Sequence, residues 1–400
     1  MDRIVIHVDV NNAFLSWTAV NMLKNGSKVD IRKRYAVIGG DESQRRGIVL
    51  AKSIPCKNKG VTTGESLYMA RRKCPYLDVY PPEFYIYKKY SDMMYEYLLT
   101  YTDIIERYSI DECFMEYTNS YKLFGDPVKI AYKIKDDIKN KFGFTVNVGV
   151  GNNKLLAKMA SDFSKPDKVH TLFYNEIESK MWPLDVKDLF MIGKSTSKKL
   201  YELNIKTIYE LAHTDREFLV RHFKSFGNLI HDYANGIDNS LVETDRGNPK
   251  SISNSVVLPY DYHDKDEILK VMKELSMEVG KTLRKKNMYA MNVFIWIKYK
   301  DFTKISKQAT LENQINSDID IYNHAADIFN KLWDNEKKIR ALCVGVSNLT
   351  DKYREQLNIF NVSDNTNIKK DMDLQKTIDK IRKKYGNDSI TYADILEKND

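Results

Sequence analysis

The sequence predicts an α+β protein of several domains, on three observations. Its 400 residues are more than one hydrophobic core comfortably fills. From residue 3 to about 161, strand-like alternation and helical periodicity interleave in an order that suits an antiparallel sheet with helices on one face. Beyond a polar linker at 238–250, strands and helices recur as βαββαβ, a small domain able to stand on its own.

Residues 3–10 alternate as a strand. Ile4, Ile6 and Val8 make the expected core face, while Val5, His7 and Asp9 face away, with Asp9 at the strand end. Residues 12–24 read as a helix closed by Asn25-Gly26-Ser27, and residues 35–38 and 47–51 as short strands around a polar loop. A helix at 66–73 stops before Pro75, and a long one spans 84–101. Strands at 104–108 and 113–117 form a hairpin whose turn holds Ser109-Ile110-Asp111-Glu112. A helix at 126–141, a strand at 144–150 and a helix from 153 to 161 complete this part. Residues 186–235 are helical throughout. Then come a strand at 251–258, a helix at 265–286, strands at 289–300 and 304–310, a helix at 321–333 and a strand at 339–347. The polar tail from 361 holds a helix at 372–385.

A hydrophobic fraction of 42% fits a folded, soluble chain. There is no apolar run of membrane-spanning length and no signal-peptide pattern, so a cytoplasmic protein is expected. Cys56, Cys74, Cys113 and Cys343 show no CxxC spacing, which argues against a zinc site or a disulfide framework. The net charge of +8 points to a polyanionic partner only as strongly as to a plain excess of lysine.

Asp9 at a strand end and Asp111-Glu112 in a hairpin turn are carboxylates that chemistry could use. Hard Mg²⁺ takes such oxygens together with substrate phosphates, and a pair of ions can clamp both oxygens of a phosphoryl transfer. Taken alone, each acid is equally a solvated turn residue.

Three blocks go further. His7-Val8-Asp9-Val10-Asn11-Asn12-Ala13-Phe14, then Tyr108-Ser109-Ile110-Asp111-Glu112, then the run from Val148 to Asp162 with Lys165-Pro166 resemble the successive motifs of Y-family DNA polymerases, nearest the DNA polymerase IV-like (DinB-type) branch of bacteria. The resemblance implies a right-hand fold: a palm at 1–10 and 76–166, fingers at 11–75, a thumb at 167–237, and the family's little finger at 251–350, followed by a clamp-binding peptide and tail at 351–400. It implies template-directed, error-prone DNA synthesis past lesions without proofreading, by two-metal phosphoryl transfer to a primer 3′-OH. Asp9, Asp111 and Glu112 would hold two Mg²⁺ ions with the Val10 carbonyl as a further ligand, and Mn²⁺ could substitute. The partners implied are primer-template DNA, a dNTP and the sliding clamp, with the enzyme a monomer.

For the nucleotide, the resemblance assigns backbone amides at Asn12 and Ala13, Phe14 as the aromatic that blocks a ribose 2′-OH, and Lys165 before Pro166 on the triphosphate. Ile54 and Lys57 stand where the family has Tyr and Arg. Lys57 keeps a charge there without the bidentate fork. Ala13 replaces a bulky aromatic.

For DNA, Leu189 to Ser195 resembles the thumb's helix-hairpin-helix, with Gly193, Lys194 and Ser195 offered to a phosphate. A glycine helix cap explains the same residues. Lys298 and Lys300 on one strand face, with Lys304 and Lys307 on the next strand, could track a DNA backbone or merely solvate a sheet face. Gln356, Leu357, Ile359 and Phe360 resemble the Gln-Leu-x-Leu-Phe clamp peptide. Two other readings compete: a template-free palm enzyme such as a nucleotidyl cyclase, which the thumb motif and the extra basic domain oppose, and a non-catalytic DNA- or clamp-binding protein, which the three retained acids oppose.

Overall fold

The structure is a computed structural model that describes residues 2–43, 45, 47–245, 247–353, 365–386 and 389–390, with 365–373 and 376 as backbone only. Gln356, Leu357, Ile359 and Phe360 of the expected clamp peptide lie outside the described residues. Contacts divide the chain into two units, Met1–Gly40 with Gly47–Asp245 and Asp41–Arg46 with Arg246–Asp400.

The first unit runs β1 (Val5–Val10), α1 (Ala13–Lys24), β2 (Ala36–Gly39), β3 (Val49–Lys52), α2 (Ile54–Asn58), α3 (Leu67–Lys73), β4 (Asp78–Tyr80) and α4 (Phe84–Leu98). It continues with β5 (Ile105–Arg107), β6 (Glu112–Glu116), α5 (Tyr121–Phe124), α6 (Pro127–Phe142), β7 (Val146–Gly151), α7 (Lys154–Asp162) and β8 (Val169–Leu172). The helices α8 (Lys194–Glu202), α9 (Ile208–Ala212), α10 (Arg216–Phe223) and α11 (Ser225–Ala234) close it. Its main sheet has the order β5-β6-β1-β7-β8, and a smaller sheet has the order β3-β2-β4.

Three expectations about the main sheet need correction. It is mixed, because β8 joins β7 in parallel, whereas the other pairs are antiparallel. Four residues make β8, too short a run for its alternation to stand out from its neighbours. Helices cover both faces, and the Val5-His7-Asp9 side of β1 is as buried as the other. Ile4, Ile6 and Val8 pack against α4 and α6, whereas Val5 packs with Phe114 and Ala157 of α7. Glu112 begins β6 rather than sitting in the turn, because it pairs with Asp9 across β1. The small sheet takes β4 past residue 75, and the main sheet takes β8 past residue 166.

The approach of α7 to the sheet depends on glycine. A Cβ on Gly149 would stand 2.0 Å from the Ala157 carbonyl oxygen and 2.5 Å from the Ser161 nitrogen, and one on Gly151 would stand 2.7 Å from the Ala157 nitrogen. These are backbone atoms, which cannot swing aside. Gly149→Ala is therefore expected to cost more than about 3 kcal/mol, the upper end for overpacking. Urea denaturation measures this, and a loss below about 1 kcal/mol would show that α7 can lift off cheaply. The start of α7 is fixed by Asn153, whose side chain accepts from Leu156 N at 2.8 Å and donates to the Gly236 carbonyl at 2.8 Å. The far side of α7 joins Leu155, Leu156 and Met159 to the core of the helices α8–α11.

In the second unit, β9 (Ser251–Tyr262), α12 (Lys265–Lys285), β10 (Tyr289–Tyr299), β11 (Lys304–Ile315), α13 (Asp318–Leu332) and β12 (Ile339–Thr350) form an antiparallel sheet of order β11-β10-β12-β9. Its core lies under α12 and α13. A last helix, α14 (Asn365–Tyr385), is held by Arg284, which donates to Asp379 at 2.6 Å and to Asp318 at 2.8 Å. No described helix is long and apolar enough to cross a membrane.

Candidate active site

Asp9 and Glu112 face one another across the β1–β6 ladder, and Val10 N donates to the Asp111 carbonyl at 3.0 Å. The chain path alone thus brings the three expected acids to one end of the sheet. The Asp111 carboxylate accepts from Ser109 Oγ at 2.6 Å.

A cavity of about 520 Å³ opens beside them. Asp9, Val10, Asn12, Ala13, Phe14, Lys57, Asp111 and Lys165 all line it. Four separate stretches of the sequence, at 9–14, 57, 111 and 165, therefore converge on one space. Glu112 lies behind it, on Lys158. The amino end of α1 also borders the cavity, where Asn12 adopts a left-handed conformation (φ 52°) and no side chain caps the helix. Its first amides lack intrahelical acceptors, so they can serve an anion.

Two ammonium groups neutralise the acids. Lys165 Nζ lies 2.5 Å from Asp9 and 2.8 Å from Asp162. Lys158 Nζ lies 2.6 Å from Glu112, 3.3 Å from Asp162 and 3.5 Å from Asp9. Burial alone would lower both lysines, but the charge of Asp9 and the bonds to Glu112 or Asp162 raise them instead. Burial pushes the Glu112 carboxyl up, assisted by the charges of Asp9 and Asp111 and opposed by Lys158. The sequence reading assigned no role to Lys158. Its place follows from α7 lying on the sheet, where Ala157 packs with Val5 and Phe114, and no local pattern singles it out.

These donors fit a hard divalent cation. They are carboxylate oxygens with a neighbouring main-chain carbonyl, buried at a point where the fold has to supply positive charge. Among the described residues no three acidic, histidine or cysteine side chains are already gathered around one metal position; Lys158 spans Glu112 and Asp9 instead.

His7 adds a pH-dependent element beneath the site. It is fully buried, with Nδ1 bonded to Ser161 Oγ at 2.8 Å and its ring 4.5 Å from Phe114. Burial, then the fields of Lys158 and Lys165, holds its pKa well below the ordinary 6.5. Burial lowers His170 and His231 too. In the unfolded chain these rings protonate near pH 6.5, while the folded chain resists. Stability is therefore complete above that value and falls as pH drops toward the lowered one, by up to about 1.4 kcal/mol per pH unit for the buried His7, with smaller contributions from the solvent-screened His170 and His231. Urea unfolding between about pH 7 and pH 5 measures the slope, before most carboxylates titrate. A flat profile would mean that His7 is charged in the fold.

In the helical part, Gly193 caps α8 without a side-chain bond, and a Cβ there would meet nothing within 4 Å. Lys194 and Ser195 open that helix. In the second unit, Lys298 and Lys304 are cross-strand partners on the sheet face away from α12 and α13. The Lys298 ammonium lies 4.9 Å from the Phe302 ring centre, and that of Lys304 lies 4.2 Å from Trp296. One expectation is corrected here, and one strand is refined. Lys300 lies past the end of β10, in a turn where its amide bonds the Lys338 carbonyl, so it shares no strand face with Lys298. Lys307 pairs with Ile295 and so points to the other face, since an odd spacing from Lys304 reverses direction.

Comparison with known proteins shows the family. Residues 8–162 match the impB/mucB/samB family, 249–359 its C-terminal domain and 174–205 its HHH motif. The DNA polymerase IV of Clostridium acetobutylicum is 49% identical over 398 residues, covering 100% of this chain and 99% of that one. The chain belongs to the DinB-type branch of the Y-family DNA polymerases. A Y-family DNA polymerase chimera of Dbh and Dpo4 has a similar fold, with TM-score 0.75 at 24% identity over 87% of this chain and 100% of its own. An insertion ternary complex of Dbh DNA polymerase has TM-score 0.60 at 25% identity over 87% and 100%. The members of this family share a palm, fingers, thumb and little finger, and the two sheets, the helical cluster and the βαββαβ unit are their counterparts here.

Proposed function

We propose that this DNA-directed DNA polymerase adds dNTPs to a primer 3′-OH past template lesions, at low fidelity and without proofreading, in the cavity beside Asp9 and Asp111. The observation that carries the site assignment is that single cavity, which joins two metal-type carboxylates, an aromatic wall and cationic groups. Asp9, Asp111 and Glu112, with the Val10 carbonyl, would hold two Mg²⁺ ions, or Mn²⁺ in their place. Such ions, when bound, neutralise the phosphates and sharpen the attacking oxygen.

The chain's own residues do the rest. Lys165, bonded to Asp9, stands where the triphosphate must lie and can transfer its contact to phosphate oxygens. The α1 amides at Asn12 and Ala13 face the same anion. Phe14 limits the space for the sugar. Gly193, Lys194 and Ser195 offer a helix start to a DNA phosphate, and Lys298 and Lys304 offer charge beside an exposed sheet face, with Lys300 and Lys307 adding salt-dependent attraction. The palm is assigned to 1–10 and 76–166 without β4 and with β8 added, the fingers to 11–75 with β4, the thumb to the rest of 167–237 and the little finger to 251–350. Gln356, Leu357, Ile359 and Phe360 are assigned to the sliding clamp, and the enzyme acts as a cytoplasmic monomer.

The deciding experiment is primer extension with Mg²⁺ and dNTPs on an undamaged template and on one with a minor-groove guanine adduct, each with and without clamp. Extension on both templates is expected, with stimulation by the clamp that is lost when residues 356–360 are deleted. DNA binding without extension would make the chain an accessory protein. Stimulation that survives the deletion would remove the clamp assignment.

A further inference from the structure

The cations around the cavity are not equivalent. Arg32 is occupied: Nε and Nη2 each bond Asp30 at 2.9 Å, and Nη1 bonds the Gly143 carbonyl at 2.8 Å. Lys165 is shared between Asp9 and Asp162. Lys52 is different. Lys52 lines the cavity, and the partner of its ammonium among the described residues is neutral, Thr63 Oγ1 at 3.1 Å. Glu65, whose charge reaches it, is bonded to Lys73 at 2.6 Å. Lys57, also in the cavity wall, has no acidic partner among the described residues.

Local structure holds these two lysines together. Lys52 ends β3, Ser53 caps α2 by accepting from Cys56 N, and Lys57 follows in the last turn of that helix. The Lys52 carbonyl accepts from Asn12 Nδ2 at 2.6 Å, which ties the end of β3 to the uncapped start of α1. Burial, and next the charge of Lys57, lower the pKa of Lys52. Two like charges confined to one wall are a standing cost that a polyanion would relieve. Between them Ile54 presents an apolar side chain, 54% exposed, that can donate no hydrogen bond to a phosphate.

We propose that Lys52 is a triphosphate-binding residue of this enzyme and, with Lys57, forms the fingers' grip on the incoming nucleotide. This rests on the polymerase reading above and adds a residue to its substrate site. Nζ leaves Thr63 for a phosphate oxygen, and the stem, packed in the wall, needs no new backbone path.

The test uses the full chain in single-nucleotide incorporation, with inorganic tripolyphosphate as a competing probe. Lys52→Met should raise the dNTP KM by about 10- to 100-fold, the range for one lost charged hydrogen bond, with a smaller change in kcat and unchanged DNA affinity. Inhibition by tripolyphosphate should weaken by the same factor, and Lys52→Arg should restore most of both. Unchanged KM and unchanged inhibition in Lys52→Met would overturn the proposal. So would a Lys52→Arg variant as impaired as Lys52→Met, which would show a packing role. Calorimetry of tripolyphosphate with the wild type and Lys52→Met, without DNA, separates the two readings. Lys52-dependent binding by a protein that extends no primer would keep the anion site and remove the polymerase assignment.

Discussion

Asp111→Ala is expected to reduce nucleotide addition by at least about 10³-fold, the scale set by several kcal/mol of lost metal-borne charge stabilisation. The substitution suits the question because the fold does not use that carboxylate. The tie to β1 runs through the Asp111 carbonyl, which accepts from Val10 N, and the side chain's bond at 2.6 Å is to Ser109. Asp9 would be a poorer choice, since it is bonded to Lys165 at 2.5 Å and lies 3.5 Å from Lys158, so its loss would take one carboxylate from each of two partly buried ammonium groups and leave them to Glu112 and Asp162. Single-turnover primer extension measures the effect, with DNA affinity and the urea midpoint as controls. Activity within about tenfold of wild type, in a folded protein that still binds DNA, would remove Asp111 from the metal site.

How far the site could be read beforehand depended on how local each feature is. Asp9, Asp111 and Phe14 sit in short motifs at strand ends and helix starts, where local pattern decides geometry. The convergence of Asp9 with Glu112 needed only a hairpin laid beside a strand. The covering of His7 and Asp9 was not legible, because it depends on α7 lying on the second face of β1, and only the close approach at Gly149 reveals that. Lys158 was hidden for the same reason: on a helix taken alone it is one more exposed lysine. Lys52 was missed because its lack of a counter-ion is a statement about Glu65 and its bond to Lys73, and that pairing does not follow from spacing. In the second unit every strand and helix was legible from alternation and periodicity. Assigning lysines to a face failed where a strand ended early, at Lys300.

Phe14→Ala is expected to raise ribonucleotide incorporation relative to deoxynucleotide by about 10- to 100-fold, the range over which a few heavy atoms of pocket wall discriminate. A steric gate works only if the ring cannot yield. Here the Phe14 ring stacks on Tyr87 with centroids 4.4 Å apart and planes 7° from parallel, and Phe84 meets it edge-on at 6.0 Å. Tyr87 is itself fully buried, and its hydroxyl lies 3.2 Å from Thr18 Oγ1, which donates to the Phe14 carbonyl at 2.9 Å. Ring, support and backbone thus form one closed set, and a 2′-OH entering the cavity would have to displace all of it. Ala13 beside it is small and buried, so it leaves the restriction to Phe14. Removing the ring opens space next to Tyr87 and costs stability, by less than the ~3–5 kcal/mol of a fully buried phenylalanine because Phe14 is only partly buried. Phe14→Leu keeps more of the packing and should give an intermediate ratio. The measurement is kcat/KM for matched rNTP and dNTP on one template, at a temperature where melting shows each variant folded. An unchanged ratio in folded Phe14→Ala would mean that the ring belongs to the aromatic core alone and that another group excludes the ribose hydroxyl.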